Sequence, residues 1–410
     1  KEDDFIKNQV NWKRNLWIAW LGNFLVGSSM SLVVPFMSLY VEELGARGSM
    51  VEFYSGLAVS STALTAALLS PVWGSLADRY GRKPMMIRAA FAMTFTMGGL
   101  AFVPNVFWLI VLRLLNGVFS GYVPNSTALI ASQAPKKHSG YALGTLSTGV
   151  VAGTLMGPLL GGMIAQSLGM RNVFLLVGFF LFVVTLWTIF GIKEDFHPVS
   201  KEKEVSTKQL FQQIPQKSIL FGLFITSMVI QMIGQSISPI LTLYIRSLGQ
   251  KENLLLVSGA IVSAMGISSI FSSSWLGKLG DKMGNHRLLL LALLYSFVIY
   301  IFCARAGTPL ELGIYRFLFG LGTGALLPGV SSLLNKITPK EGISRIFSYN
   351  QTFFYIGGVI GPLMGSAISV HFGYHWVFYS TAGLALLNFF FLLFSFRKYL
   401  GVKEISASKN

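Results

Sequence analysis

Charge is what this sequence has least of. Only 12% of its 410 residues are Asp, Glu, Lys or Arg, against roughly 25% in a soluble domain. With a hydrophobic content of 53% and a mean hydropathy of +0.61, this excludes a soluble enzyme, a disordered chain and a nucleic-acid-binding domain. The solvent is lipid. Cysteine is nearly absent: the lone Cys303 excludes a disulfide framework and a cysteine zinc site. The start, Lys1 to Lys13, is charged and has no cleavable signal pattern, so nothing in it points to secretion. No Walker-type phosphate loop occurs, and no His, Cys, Asp and Glu grouping has ligand spacing. An enzyme, an ATP-driven pump, a metal and an organic cofactor are all without support.

Long apolar runs are what is present. A helix rises ~1.5 Å per residue, so a ~30 Å hydrocarbon layer takes about 20 residues. Such runs fall near 15–41, 54–77, 85–103, 107–131, 140–166 and 172–192, then 218–245, 254–277, 287–304, 310–335, 344–370 and 375–397. They predict an all-α membrane protein of twelve spans. Of the 32 Lys and Arg, only Arg47, Arg171, Arg246, Lys251 and Arg305 fall on one side, and Arg113 and Arg316 lie within spans. The rest, with Arg79, Arg82, Lys83 and Arg88 among them, collect on the other. The positive-inside rule therefore puts both termini in the cytoplasm and explains the net charge of +16 as a topology signal. The hydrophilic stretch 193–217, with Pro198 and Pro215, reads as a cytoplasmic linker between halves 1–192 and 218–410.

The halves are copies. Pro35 and Tyr40 recur as Pro239 and Tyr244, 204 residues on. Gly74-Ser-Leu-Ala-Asp78-Arg-Tyr-Gly81 recurs as Gly277-Lys-Leu-Gly-Asp281-Lys-Met-Gly284, and Arg113 as Arg316, both offset by 203. Gly153, Gly157-Pro158 and Gly161 recur as Gly357, Gly361-Pro362 and Gly365. Parallel six-helix repeats are the build of a rocking transporter.

With these motifs in hand, the chain resembles the major facilitator superfamily. GSLADRYGRKP (74–84) looks like its loop 2–3 signature, LRLLNG (112–117) like its fourth-helix motif, and GTLMGPLLGG (153–162) like the fifth-helix motif of its exporters. The whole chain is most similar to the drug:proton antiporters of that family, in particular multidrug efflux pumps of Gram-positive bacteria. The resemblance implies two pseudo-symmetric six-helix bundles, a monomer in the bacterial cell membrane, and rocker-switch export of amphipathic drugs. Fluoroquinolones and cationic dyes would be substrates, and the proton gradient the sole driving force. The alternative within the same fold is a nutrient or metabolite facilitator or symporter.

Each motif has a physical reading. Gly74 admits a close neighbour, Asp78 can cap a neighbouring helix, and Arg79, Arg82 and Lys83, around Gly81, suit an anionic leaflet. These residues read as a conformational latch, which the resemblance implies, with a weaker copy at Asp281, or as a basic topology anchor. Arg113, ~10 Å into the fourth span, either faces the bundle interior or snorkels outward. The resemblance gives it, and Arg316 in the copy, a part in proton coupling. All 16 acidic residues fall near span ends or outside spans. The first span offers Asn23 where many such antiporters carry a carboxylate. Glu52 and Glu311 are the candidates for the proton carrier, or else are solvated loop-end charges. The glycines at 149, 153, 157 and 161, with Pro158 and Gly162, make a smooth stripe, repeated by Gly357, Gly361, Pro362 and Gly365. It suits a sliding seam between the halves or a static close-packed pair. Asn23, Asn116, Gln231, Gln235 and Asn350, with Phe119, Tyr122, Phe319, Phe354 and Tyr355, are candidate walls of a drug cavity.

Overall fold

The computed structural model describes residues 11–135, 138–196, 214, 217–338 and 343–407; side chains 78, 139, 140, 274, 281, 343–345 and 397–407 lie outside that description. Among the described residues twelve helices are long and apolar enough to cross a membrane, and no strand occurs. They are Trp12–Glu43, Ser49–Ala77, Arg82–Phe102, Val106–Gln133, Tyr141–Leu168 and Met170–Gly191, then Lys217–Ser247, Leu254–Ser273, Asn285–Ala304, Pro309–Ile337, Ile346–Phe372 and Tyr374–Phe396. Each matches one predicted run. Much of their outer surface is apolar: Phe102, Phe190, Phe271 and Leu310 are all more than 70% exposed. A fold in water would bury such faces; here they meet lipid.

The repeat extends to backbone detail. The first span breaks into Trp12–Ser31, a 3-10 turn Val34–Phe36 and Met37–Glu43, and the seventh breaks alike at Ser238–Ile240. Pro35 and Pro239 cause this, since proline lacks the donor that would continue the helix. The Tyr40 hydroxyl donates to the Leu100 carbonyl and the Tyr244 hydroxyl to that of Cys303. The turns after the first, second and fifth spans use glycines at φ of +97°, +102° and +84°; their copies Gly249, Gly284 and Gly373 have +96°, +93° and +86°. Only glycine adopts that region without strain.

Backbone contacts divide the chain into two units. One is Lys1–Ser200 with Leu241–Leu243 and Lys251–Ser263; the other is Lys201–Ile240, Tyr244–Gln250 and Ala264–Asn410. The first takes in segments from beyond the linker for local reasons. Thr242 donates to the Pro35 carbonyl at 2.6 Å, Ser263 to that of Leu155 at 2.7 Å, and Gly259 leaves no room for a Cβ against Pro158. Leu16, Ala19, Ile130, Ala142 and Leu146 form a core of the first unit. In the second, Leu223, Phe224, Leu289, Leu326 and Phe396 join spans seven, nine, ten and twelve.

The described start of the linker is held in place. The Asn15 side chain donates to the Lys193 carbonyl at 2.7 Å and accepts its amide at 3.2 Å, and Gln133 donates to the same carbonyl. Most of the predicted linker, residues 197–213, 215 and 216, lies outside the described residues.

The glycine stripe packs inside each bundle. A Cβ on Gly153 would strike the carbonyl of Phe24, one on Gly149 that of Trp20, and one on Gly161 the side chain and carbonyl of Leu32, all in the first span. In the second unit, Gly357 and Gly365 meet the carbonyls of Met228 and Ser236 in the seventh. The expectation of a sliding seam between halves is thereby corrected for these residues. With backbone against backbone, the four-spaced glycines build a close-packed helix pair. Gly162, one residue off the stripe, faces Leu255 instead.

Candidate functional site

The fourth span carries the charge. Asn105 caps it, accepting the Trp108 amide, and the helix runs Val106–Val118 before breaking and resuming at Tyr122–Gln133. The break sits at Gly121, whose φ is +122°. Arg113, 4% exposed, does not snorkel: its Nε donates 3.2 Å to the Ala58 carbonyl of the second span. Thr62 and Thr65 return hydroxyl donors to the Arg113 and Leu114 carbonyls at 2.9 and 2.8 Å. Gly117 lets the two helices close to that distance, since a Cβ there would strike Thr62 and Thr65.

Arg316 holds the matching place in the helix Pro309–Thr323 and is 1% exposed. Its Nε and Nη1 have no hydrogen-bond partner among the described residues. Thus the two arginines share a register but not a bonding pattern. Glu311 in the same helix is committed to structure. Thr308 caps its amide at 3.2 Å and its carboxylate accepts the amide of Gly307, one residue before the cap, at 2.8 Å on an exposed turn. Of the two readings the sequence leaves open, this exposed position matches the loop-end charge. Glu52 lies in the first turn of the second span and is half-buried.

The loop between second and third spans is built differently from its sequence reading. The side chains of Asp78 and Asp281 lie outside the described residues. A Cβ on Gly74 or Gly277 would meet nothing among the described residues, so neither glycine serves close packing: each lies on an open face of its helix, while Ala77 and Leu279 nearby are packed. Arg79 lies over the Tyr80 ring at 5.3 Å. Gly81 turns the chain, and as a glycine it offers the helix Arg82–Gly99 no capping side chain. Glu194 supplies one from beyond the sixth span: its carboxylate accepts the Arg82 and Lys83 amides at 2.8 and 2.7 Å. These are orphan donors at a positive dipole end, where a carboxylate is favoured. Glu194→Ala is expected to cost about 1–2 kcal/mol, as loss of a cap does. Hydrogen exchange should accelerate at the amides of Arg82, Lys83 and Met85; unchanged exchange there would contradict the clamp.

A further cation lies within a span: Arg88, which the sequence reading groups with the cytoplasmic cations. The third helix in fact begins at Arg82, which places Arg88 ~9 Å along it. Its guanidinium stacks 3.5 Å over Trp73 and donates to the Ser120 carbonyl at 2.9 Å, within the break of the fourth span. Trp73 itself donates to the Val118 carbonyl. The basic run around it masks this residue in the sequence.

The candidate cavity residues separate into two groups. Asn23 accepts from Ser126, Asn116 from Thr96, Tyr122 shares a bond with Thr188, and Phe319 stands edge-on to Tyr300 at 4.6 Å; all four are buried. They tie helices together and do not line an open wall, which corrects that expectation. Phe119 stays half-buried at the break, tilted against Trp73. In the second unit Gln231, Gln235, Asn350, Phe354 and Tyr355 keep partial exposure on spans seven and eleven. Ser227 bonds Asn350 at 2.7 Å to join these spans, and the Gln235 Oε1 is buried without a partner among the described residues.

Two copies of a six-helix unit, each with a buried arginine in a broken fourth span, define the class: a polytopic membrane transporter. The chain belongs to the major facilitator superfamily, whose family model matches residues 19–312 and 259–409. It is 64% identical over 97% of its length to the multi-drug resistance efflux pump PmrA of Streptococcus pneumoniae, all of which is covered. It is 55% identical to a PmrA homolog of Lactococcus lactis, over 97% of this chain and 98% of that one. A bacterial homolog of the human lysosomal transporter Spinster shares the fold, with a TM-score of 0.81 at 15% identity over 94% of this chain and 97% of that structure.

Proposed function

We propose that this protein is a proton-coupled exporter of amphipathic drugs, fluoroquinolones and cationic dyes included. It works as a monomer by alternating access of its six-span halves, in a bacterial cell membrane with both termini cytoplasmic. The observation that carries the reading is Arg113, a cation 4% exposed within a span and bonded there to a backbone carbonyl. Intramembrane ionisable groups mark ion and substrate pathways. A fixed positive charge favours the deprotonated state of an acid near it, and the carboxylate so formed is what a cationic drug would bind, so the arginine can link proton loss to drug binding. Similarity to pumps named for multidrug efflux supports the drug side. With Glu311 exposed at a helix start and Glu52 half-buried in the second span, Glu52 is the leading carboxylate for the proton. The loop at Asp78, Arg79, Arg82 and Lys83 acts as the latch, with Glu194 holding it.

The test uses purified protein in liposomes, a fluorescent cationic dye, a fluoroquinolone competitor and an imposed pH gradient. Dye should move against the proton gradient, stop when the gradient is collapsed, compete with fluoroquinolone and weaken in Asp78→Asn at equal abundance. Dye movement indifferent to the gradient would remove antiport. Absence of dye movement would favour a nutrient transporter, and full activity in Asp78→Asn would remove the latch.

A further inference from the structure

The first unit carries a groove that the transport reading does not use. It runs along the seam of the first and sixth spans, has a volume of about 660 Å³, and is walled by Arg14, Trp17, Leu21, Trp187 and Phe190. Gly191 gives the groove its depth: a Cβ there would come within 2.5 Å of Ile18 Cδ1, which lies on the groove floor. The walls face outward. Trp17 is 56% exposed, Trp187 43% and Phe190 76%. The same seam bears a second apolar pocket further along, between Phe24 and Leu25 of the first span and Phe180 of the sixth.

Its polarity is one-sided. Arg14 is exposed at one end, and Lys13 and Lys193, both exposed, belong to the same end of the bundle. Everything beyond the first turn is hydrocarbon or indole. Tryptophan favours the depth where headgroup meets acyl chain, and a basic end favours anionic lipid. A charged planar drug would find no second ionic group on this wall beyond Arg14, whereas a molecule with an anionic head and a long apolar tail matches it along its whole length.

We propose that the groove between the first and sixth spans is a binding site for an anionic phospholipid, its phosphodiester on Arg14 and one acyl chain between Trp17 and Trp187. Bound there, the lipid fills the outer seam of the first unit beside Asn15 and Lys193, the residues that anchor the start of the linker. This site is independent of the transport reading.

The test titrates the full-length protein in detergent with phosphatidylglycerol and with phosphatidylcholine of the same acyl chains, reading bound lipid by native mass spectrometry. The wild type should retain phosphatidylglycerol preferentially. Arg14→Gln should lower that preference about fivefold, the share of one basic residue at an anionic surface. Gly191→Leu, which fills the groove, should reduce retention of both lipids. If that variant fails to fold, Trp187→Ala at an exposed position should lengthen the groove's unfilled wall and weaken both lipids as well. Inorganic phosphate should not displace the bound lipid, since the tail supplies most of the contact. Equal retention of the two lipids by the wild type would overturn the proposal. So would wild-type retention in Arg14→Gln together with either groove variant, or displacement by phosphate alone.

Discussion

Arg113→Ala should abolish gradient-driven dye export while leaving a folded protein that still binds dye. The fold survives because the strongest ties between second and fourth spans do not use the arginine side chain. Thr62 bonds the backbone carbonyl of residue 113, and Thr65 that of Leu114. Truncation removes one side-chain bond, to Ala58, and a buried bond of this kind is worth about 1–3 kcal/mol. What disappears is the fixed charge in the membrane interior. Dye binding, followed by fluorescence titration, should change by less than about threefold, under 1 kcal/mol, whereas gradient-driven flux falls to background. Arg113→Lys should recover part of the flux, since it keeps the charge but not the planar guanidinium. Undiminished flux in the alanine variant at equal abundance would take Arg113 out of coupling.

The second large effect is structural. Gly365→Ala should lower the apparent melting temperature sharply, and Gly365→Leu should prevent accumulation of the protein. A Cβ at 365 collides with the Ser236 carbonyl, and one at 361 would stand 3.0 Å from Met232 Cα. These obstacles are backbone atoms, so no rotamer change relieves them and spans seven and eleven must separate. Overpacking in a tight interior costs about 1–3 kcal/mol, occasionally more, and this site belongs at the upper end. Gly74→Ala and Gly277→Ala are the controls, because each faces open space among the described residues. They should be neutral or gain up to ~1 kcal/mol from helix propensity. A Gly365→Ala protein that melts like the wild type would show that the seam can yield.

Some of the site was legible because its signals are local. An arginine inside an apolar run is visible in one dimension, and a motif returning at a fixed offset needs no coordinates. Register alone made Arg113 and Arg316 equivalents, yet one bonds the Ala58 carbonyl and the other leaves Nε and Nη1 without partners among the described residues. The facing span is the same in both repeats, but its residues are not: Gly117 meets Thr62 and Thr65 where Gly320 meets Met265 and Ser268, and the register of the arginines carries no record of that change. Arg88 reads as an interface cation in one dimension for a related reason. Its position within the helix depends on where the turn at Gly81 ends, and the run of basic residues around it looks like an interface.

By itself the sequence determined the twelve spans, the two copies, and the presence of one arginine within the fourth span and one within its copy. Each follows from hydropathy or spacing along one segment, and a membrane forces every segment to satisfy its own backbone. Only the tertiary structure decided which helix each glycine touches, that Glu194 caps a helix 112 residues earlier, and that Asn23, Asn116, Tyr122 and Phe319 are ties between helices. Those outcomes depend on which spans become neighbours. In lipid that choice is made by close packing and a few polar pairs, between residues whose separation along the chain carries no trace of their contact.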